Sequence, residues 1–230
     1  MNIHFVLICE GTSDEGLIPH LETLCLDAGA DEVYGNAPDL SRRNVGHALK
    51  DKIQAILELE PQANLLFLHR DADAWDSTNR HEEITKVTIS CGLTKKWVAV
   101  VPVQETEAWL LLDEKAIRTV AGKPNGRTTL KLPRPTLVEN IASPKEVLKE
   151  KLSLAAEVTG RRHQSFIAKF PSMRRLLLQR LAVGGPLLQV HSWCKMKSAL
   201  EEAIQTLRSE QDIVITQQQQ GSDPLQSSYG

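Results

Sequence analysis

Two apolar runs that stop abruptly at carboxylates constrain this chain more than any other feature. Residues 2–9, NIHFVLIC, lead straight into Glu10, and residues 64–68, NLLFL, lead into His69-Arg70-Asp71-Ala72-Asp73. Neither run alternates polar and apolar residues as a strand with one wet face would. Both are short and rich in Ile, Val, Leu and Phe, the pattern of strands buried on both faces of an α/β sheet. Residues 97–103, from Trp97 to Val103, form a third run of this kind, with Glu105 and Glu107 just beyond it.

Helical periodicity fills the gaps between these runs. Thr12 and Glu15 make a T-x-x-E capping box, and Leu17, Ile18, Leu21, Leu24 and Cys25 follow at helical spacing up to Gly29. Val45, Leu49, Ile53, Ile56 and Leu57 predict a helix ending near Pro61, residues 78–91 predict another, and Leu110, Leu111, Leu112, Ala116 and Ile117 suggest one more. Strands and helices therefore alternate over residues 1–121, for which a parallel, doubly wound α/β sheet is the natural packing. Pro, Gly, Thr and Lys dominate residues 122–143, which read as a loop or insertion. Periodicity then resumes as helix only, near 145–157, 164–182 and 193–209, giving a helical C-terminal portion over 144–209. Residues 210–230, with Gln217 to Gln220 and a polar ending, read as a disordered tail.

A chain of 230 residues, 41% hydrophobic, can bury the core of one large domain. Its 27 basic and 29 acidic residues leave a net charge of −2, so no global positive field draws it to a polyanion. Contact with nucleic acid must be local, and Arg42-Arg43, Lys123 to Lys131 with Arg127, Arg161-Arg162-His163 and Arg174-Arg175 are the candidate patches. Cys9, Cys25, Cys91 and Cys194 never form a C-x-x-C pair, which argues against a zinc site and for reduced thiols. The first residues carry no basic leader, and no apolar stretch approaches the roughly 18 residues of a membrane span. The expectation is a cytoplasmic protein that makes no membrane contact.

In an open α/β sheet, ligands bind beyond the carboxyl ends of the strands. Glu10, Asp71, Asp73, Glu105 and Glu107 all fall there. Like charges gathered at one edge repel and raise one another's pKa unless a cation neutralises them. With oxygen donors and neither a thiol pair nor a histidine pair, Mg²⁺ or Mn²⁺ is the expected cation. Structural roles compete for some of these residues. Asp14, Glu15, Glu105 and Glu107 suit the first turn of a helix on dipole grounds alone. His69 suits a hydrogen-bonded position at a strand end, and Trp75 and Trp109 suit packing.

ICEGTSDEGLIPHL resembles the opening motif of TOPRIM domains, and LLFLHRDADAWD resembles their D-x-D motif. ETEAWLLLDEKAI and the later SPKEVL are similar to a branch of TOPRIM-like proteins found near restriction and phage-defence genes, more distantly related to the OLD-family nucleases. The resemblance spans roughly residues 1–150. It implies a TOPRIM-like sheet with flanking helices, with Glu10, Asp71 and Asp73 coordinating metal at a nucleic-acid backbone. It further implies Asp14 in the same site, Glu107 on a second ion, and a lysine that completes the pattern, for which Lys145 and Lys115 are the candidates. The activity implied is metal-dependent hydrolysis of phosphodiester bonds in DNA or RNA, in which two ions about 3.5–4 Å apart activate water and stabilise the leaving oxygen.

Two alternatives stand beside the nuclease. A phosphohydrolase of the haloacid-dehalogenase kind uses the first Asp of a D-x-D as nucleophile, but places that motif after its opening strand, where Glu10 stands here. A non-catalytic TOPRIM-like module would instead serve an ATPase partner encoded nearby. No G-x-x-x-x-G-K-[ST] loop occurs, so any ATP-driven step belongs to another protein. Tyr34 and Tyr229, in an early loop and in the tail, offer no topoisomerase tyrosine. Homo-oligomerisation is compatible with all three readings.

Overall fold

The computed structural model describes residues 1–221. Its elements run β1 (Asn2–Ile8), α1 (Ile18–Asp27), β2 (Glu32–Asn36), α2 (Leu49–Leu59), β3 (Leu65–His69), α3 (Thr78–Ser90) and β4 (Lys96–Val100), then α4 (Glu107–Leu110), α5 (Glu114–Val120), α6 (Pro144–Ala156), α7 (Gly160–Ile167), α8 (Phe170–Leu178) and α9 (His191–Gly221). The four strands form one parallel sheet in the order β2-β1-β3-β4. From β1 the chain steps outward to β2, then crosses back over β1 to β3. The strand order thus reverses between β1 and β3, and the crevice beyond their carboxyl ends is the topological switch point.

Alternate residues of the apolar runs feed two cores. Phe5, Leu7, Leu65, Phe67, Val98 and Val100 face one side, while Val6, Ile8, Leu66, Leu68, Ala99 and Val101 face the other, where α2 and α3 contribute Leu49, Ile53, Ile56 and Ile84. The first core is continuous with Leu148 and Leu152 of α6, Phe170 and Leu177 of α8, and Trp193 and Leu200 of α9. The C-terminal helices therefore share the sheet's core and are not an appendage. No helix among the described residues is long and apolar enough to cross a membrane.

Several sequence expectations are corrected. Strand β2, in the segment read as an early loop, pairs with β1 along the sheet edge, with Gly35 opposite Phe5. A Cβ at Gly35 would collide with the Phe5 ring, so only glycine fits there. The helix expected to start at a Thr12 capping box begins instead as a 3₁₀ turn over Thr12–Leu17, with Gly11 at its N-cap. The helix after β4 divides into α4 and α5 because Asp113 caps the second piece, accepting from Ala116 N at 2.9 Å. The expected helix over 164–182 divides into α7 and α8 at Pro171, whose ring cannot continue a helix. Residues 122–143 are mostly exposed, as a loop would be, but bury Leu130 and Val138 as anchors. Helix α9 runs to Gly221, past the point where the tail was expected to begin; residues 222–230 lie outside the described residues.

Candidate functional site

The loops after β1, β3 and β4 meet at the switch point, and α6 and α8 close over them. The β3–β4 ladder continues past its strands: Arg70 N donates to Val100 O (3.1 Å), Ala72 N to Pro102 O (3.0 Å) and Asp73 N to Gln104 O (3.0 Å), and Gln104 N returns to Ala74 O (3.2 Å). Asp73 (φ 53°) and Gln104 (φ 59°) both take left-handed conformations to make this exchange. Non-glycine residues enter that region at a cost, and such strain concentrates at functional sites. Lys52 of α2 braces the end of β1, donating to Cys9 O (2.7 Å) and Glu10 O (3.1 Å).

One half of the site is closed. Arg174 of α8 donates from Nη2 to Asp14 Oδ1 (2.7 Å), from Nε to Glu107 Oε1 (2.9 Å) and from Nη1 to Ser13 O (3.1 Å). Arg174, Asp14 and Glu107 are 8%, 5% and 1% exposed. Burial works against the Arg174 charge, yet Asp14 and Glu107 outweigh it and hold its pKa above the ordinary value. The Arg174-Arg175 pair expected as a patch for nucleic acid is thereby split: Arg175 is exposed and Arg174 is an internal ion-pair partner. The sequence does carry the signal. Phe170, Met173, Arg174, Leu177 and Leu178 fall at i, i+3, i+4, i+7 and i+8, so Arg174 sits on the apolar stripe and needs a buried anion.

The other half is open. Glu10 pairs with Arg70, which also lies 3.6 Å from Glu83. Asp73 pairs with Arg80 Nη2 at 3.0 Å, and Arg80 also holds Glu83 at 2.6 Å and donates to Asp71 O at 2.9 Å. Lys145, in the first turn of α6, donates to Glu105 Oε1 (2.8 Å) and lies 3.8 Å from Glu107. Glu105 also accepts from Lys145 N (3.1 Å), and its hydrogen bond chiefly holds the Lys145 pKa up. Lys145 thus reaches the site. Lys115, the other candidate, is exposed on α5 and makes no ion pair among the described residues.

Asp71 stands apart from this pairing. Thr106 donates to its Oδ1 from both N (3.0 Å) and Oγ1 (2.9 Å), but no Lys or Arg among the described residues is in ion-pair contact with it. Burial first, then the charges of Asp14 and Glu107, push its pKa up to about 7 against the pull of the Thr106 hydrogen bonds. The nearest cationic candidate is His69, whose Nε2 lies 3.9 Å from Asp71 Oδ1. Burial lowers the His69 pKa, keeping the ring neutral despite Asp14 at 3.8 Å from Nδ1. His69 Nε2 hydrogen-bonds Thr106 Oγ1 at 3.0 Å, and His69 Nδ1 has no hydrogen-bond partner among the described residues. His69 is therefore a hydrogen-bonded structural group. Burial, then Asp14 and Glu15, raise the Cys9 pKa and so disfavour its thiolate.

The fit of a divalent ion differs between the halves. Around Asp71 the donors are hard oxygens, the carboxylate lacks a fixed cation and like charges press on it, which suits Mg²⁺ or Mn²⁺. Between Asp14 and Glu107 a guanidinium already fills the space. No three His, Cys, Asp or Glu side chains among the described residues stand in metal-ligating geometry. Glu10 borders a cleft of about 380 Å³ that is also lined by Arg43, His47 and Lys52. Trp109 packs as expected, stacked edge-on against Trp193 at 5.0 Å with Nε1 donating to Ser192. Trp75, expected to pack, is 56% exposed two residues beyond Asp73.

Fold and site together define a parallel α/β protein with a carboxylate–arginine cluster at its topological switch point. Comparison with protein-family models, with curated proteins and with solved structures finds no match to this chain.

Proposed function

We propose that the protein is a TOPRIM-like nuclease that hydrolyses phosphodiester bonds in DNA or RNA with Mg²⁺ or Mn²⁺, and that it serves a phage-defence or restriction-linked system in the cytoplasm. The observation that carries this reading is Asp71, a half-buried carboxylate without a fixed cation among the described residues, set at the switch point on the same loop as Asp73 and beside the loop that carries Glu10. Glu10, Asp71 and Asp73 would hold the ion, which supplies charge neutralisation and an activated water when bound. Thr106 orients Asp71 by its two hydrogen bonds. Lys145, anchored by Glu105 and half exposed, is placed to steady negative charge on a phosphate. Arg43 and Lys52 put two cations on the cleft beside Glu10, which also carries Glu15 and Asp39, and these two would be the phosphate contacts, while the exposed Trp75 indole offers a face for a base. An ATPase partner would supply any nucleotide-driven control.

The test is cleavage of mixed plasmid, tRNA and single-stranded substrates by the purified chain with and without Mg²⁺ or Mn²⁺. Asp71→Asn with Asp73→Asn is expected to abolish cleavage while circular dichroism shows an intact fold. Undiminished cleavage by the folded double variant would remove this site from the mechanism.

A further inference from the structure

We infer that Arg174 takes the place of a second cation, so that Asp14 and Glu107 are ligands of a guanidinium and the protein works with a single divalent ion beside Asp71. The inference rests on the reading of Asp71 as an ion site. All three kinds of Arg174 nitrogen are engaged, on oxygens supplied by Ser13 and Asp14 in the turn after β1 and by Glu107 at the start of α4. Asp14 and Glu107 are the two carboxylates that the resemblance would give to metal, Asp14 in the site of Glu10 and Glu107 on a second ion.

A guanidinium cannot lose its proton inside a protein, so this positive charge is permanent. Expelling it would strand a cation among Met173, Leu177 and Leu178, the apolar residues of its own helix face. Lys145, 3.8 Å from Glu107, adds a second fixed positive charge against an entering ion. The two halves thus divide the labour of charge balance. The closed half is neutralised by the chain itself, and the open half is left to an exchangeable ion.

Counting bound Mn²⁺ on the full chain by electron paramagnetic resonance and isothermal titration tests this. The expected result is one ion per wild-type chain, and one more in Arg174→Met than in wild type, because Asp14 and Glu107 become free to ligate. Two ions in wild type, or no gain on removing the guanidinium, would overturn the inference. A wild-type chain that binds none, with Arg174→Met gaining one, would overturn the Asp71 reading but leave the role of Arg174 standing. Should Arg174→Met fail to fold, Asp14→Asn decides, since the amide oxygen can still accept from Arg174. Its count of bound Mn²⁺ should match wild type, with only the loss of affinity that removing a charge near Asp71 brings, whereas a variant that binds one ion fewer would make Asp14 a metal ligand and overturn the inference.

Discussion

The closed and open halves of the site hold the same kind of side chain under opposite conditions. Asp14 and Glu107 are buried and share Arg174, whose guanidinium reaches both at hydrogen-bonding distance. Glu10 and Asp73 have side chains 46% and 66% exposed, and are held by the less exposed Arg70 and Arg80. A charge removed from water needs a partner that cannot leave, whereas a charge at the surface tolerates one that exchanges. Asp71 falls between the two, buried enough to be destabilised and open enough for the cation that the proposed function assigns to it.

Arg174→Met should produce the largest effect. Breaking a buried ion pair by removing one partner typically costs about 3–5 kcal/mol, and here two carboxylates lose their cation. Urea unfolding in EDTA should show a loss of this size, and a loss no greater than that of Arg70→Met would erase the distinction between the halves.

Asp71→Asn should act in the opposite direction. Because the folded-state pKa lies near 7 and the ordinary value is 3.8, folding binds an extra proton between those values. Wild-type stability contributed by this group therefore falls as pH rises through that window and stays low above it. The variant should match wild type below about pH 4 and exceed it at pH 8. The ceiling is about 4 kcal/mol, and roughly 2 is expected once solvent relaxation is allowed for. Melts in EDTA across pH 4–8 would show the gap opening, and a gap constant with pH would mean that Asp71 is not held under electrostatic pressure.

Much of this arrangement was legible in the residues. The apolar runs located β1, β3 and β4, and the switch-point rule brought Glu10, Asp71 and Asp73 to one edge. Strand β2 escaped notice because EVYGN is short, lies at the sheet edge and exposes Tyr34, so it shows neither a fully apolar run nor a clean alternation. Arg174 was grouped with Arg175 because adjacent basic residues look alike when helix face is ignored. Trp75 was misjudged because an indole in a loop carries no periodicity from which to infer burial. The pairing of Glu10 with Arg70 follows from the β1–β3 register and that of Asp73 with Arg80 from where α3 docks, and neither register nor docking has a sequence signal.

A smaller effect should come from Gln104→Gly. Gln104 holds a left-handed conformation on the rim of the open half, and glycine relieves that strain while gaining freedom in the unfolded chain. Relief of about 1–2 kcal/mol exceeds an entropy cost of about 0.4–1, so a net gain of about 0.5–1 kcal/mol is expected in chemical denaturation. A destabilised variant would show that the Gln104 side chain, rather than the backbone exchange with Asp73, supports the rim.

The division between a closed half that stabilises and an open half that recruits an ion is tested most directly by one titration. Melting temperatures of wild type and of Asp71→Asn with Asp73→Asn are followed against Mn²⁺ at pH 8. An ion that binds only the folded state stabilises it by mass action, so the wild-type midpoint should climb with concentration. The double variant should start at or above wild type without metal and then stay flat. Equal shifts in the two proteins would place the ion elsewhere and contradict the account.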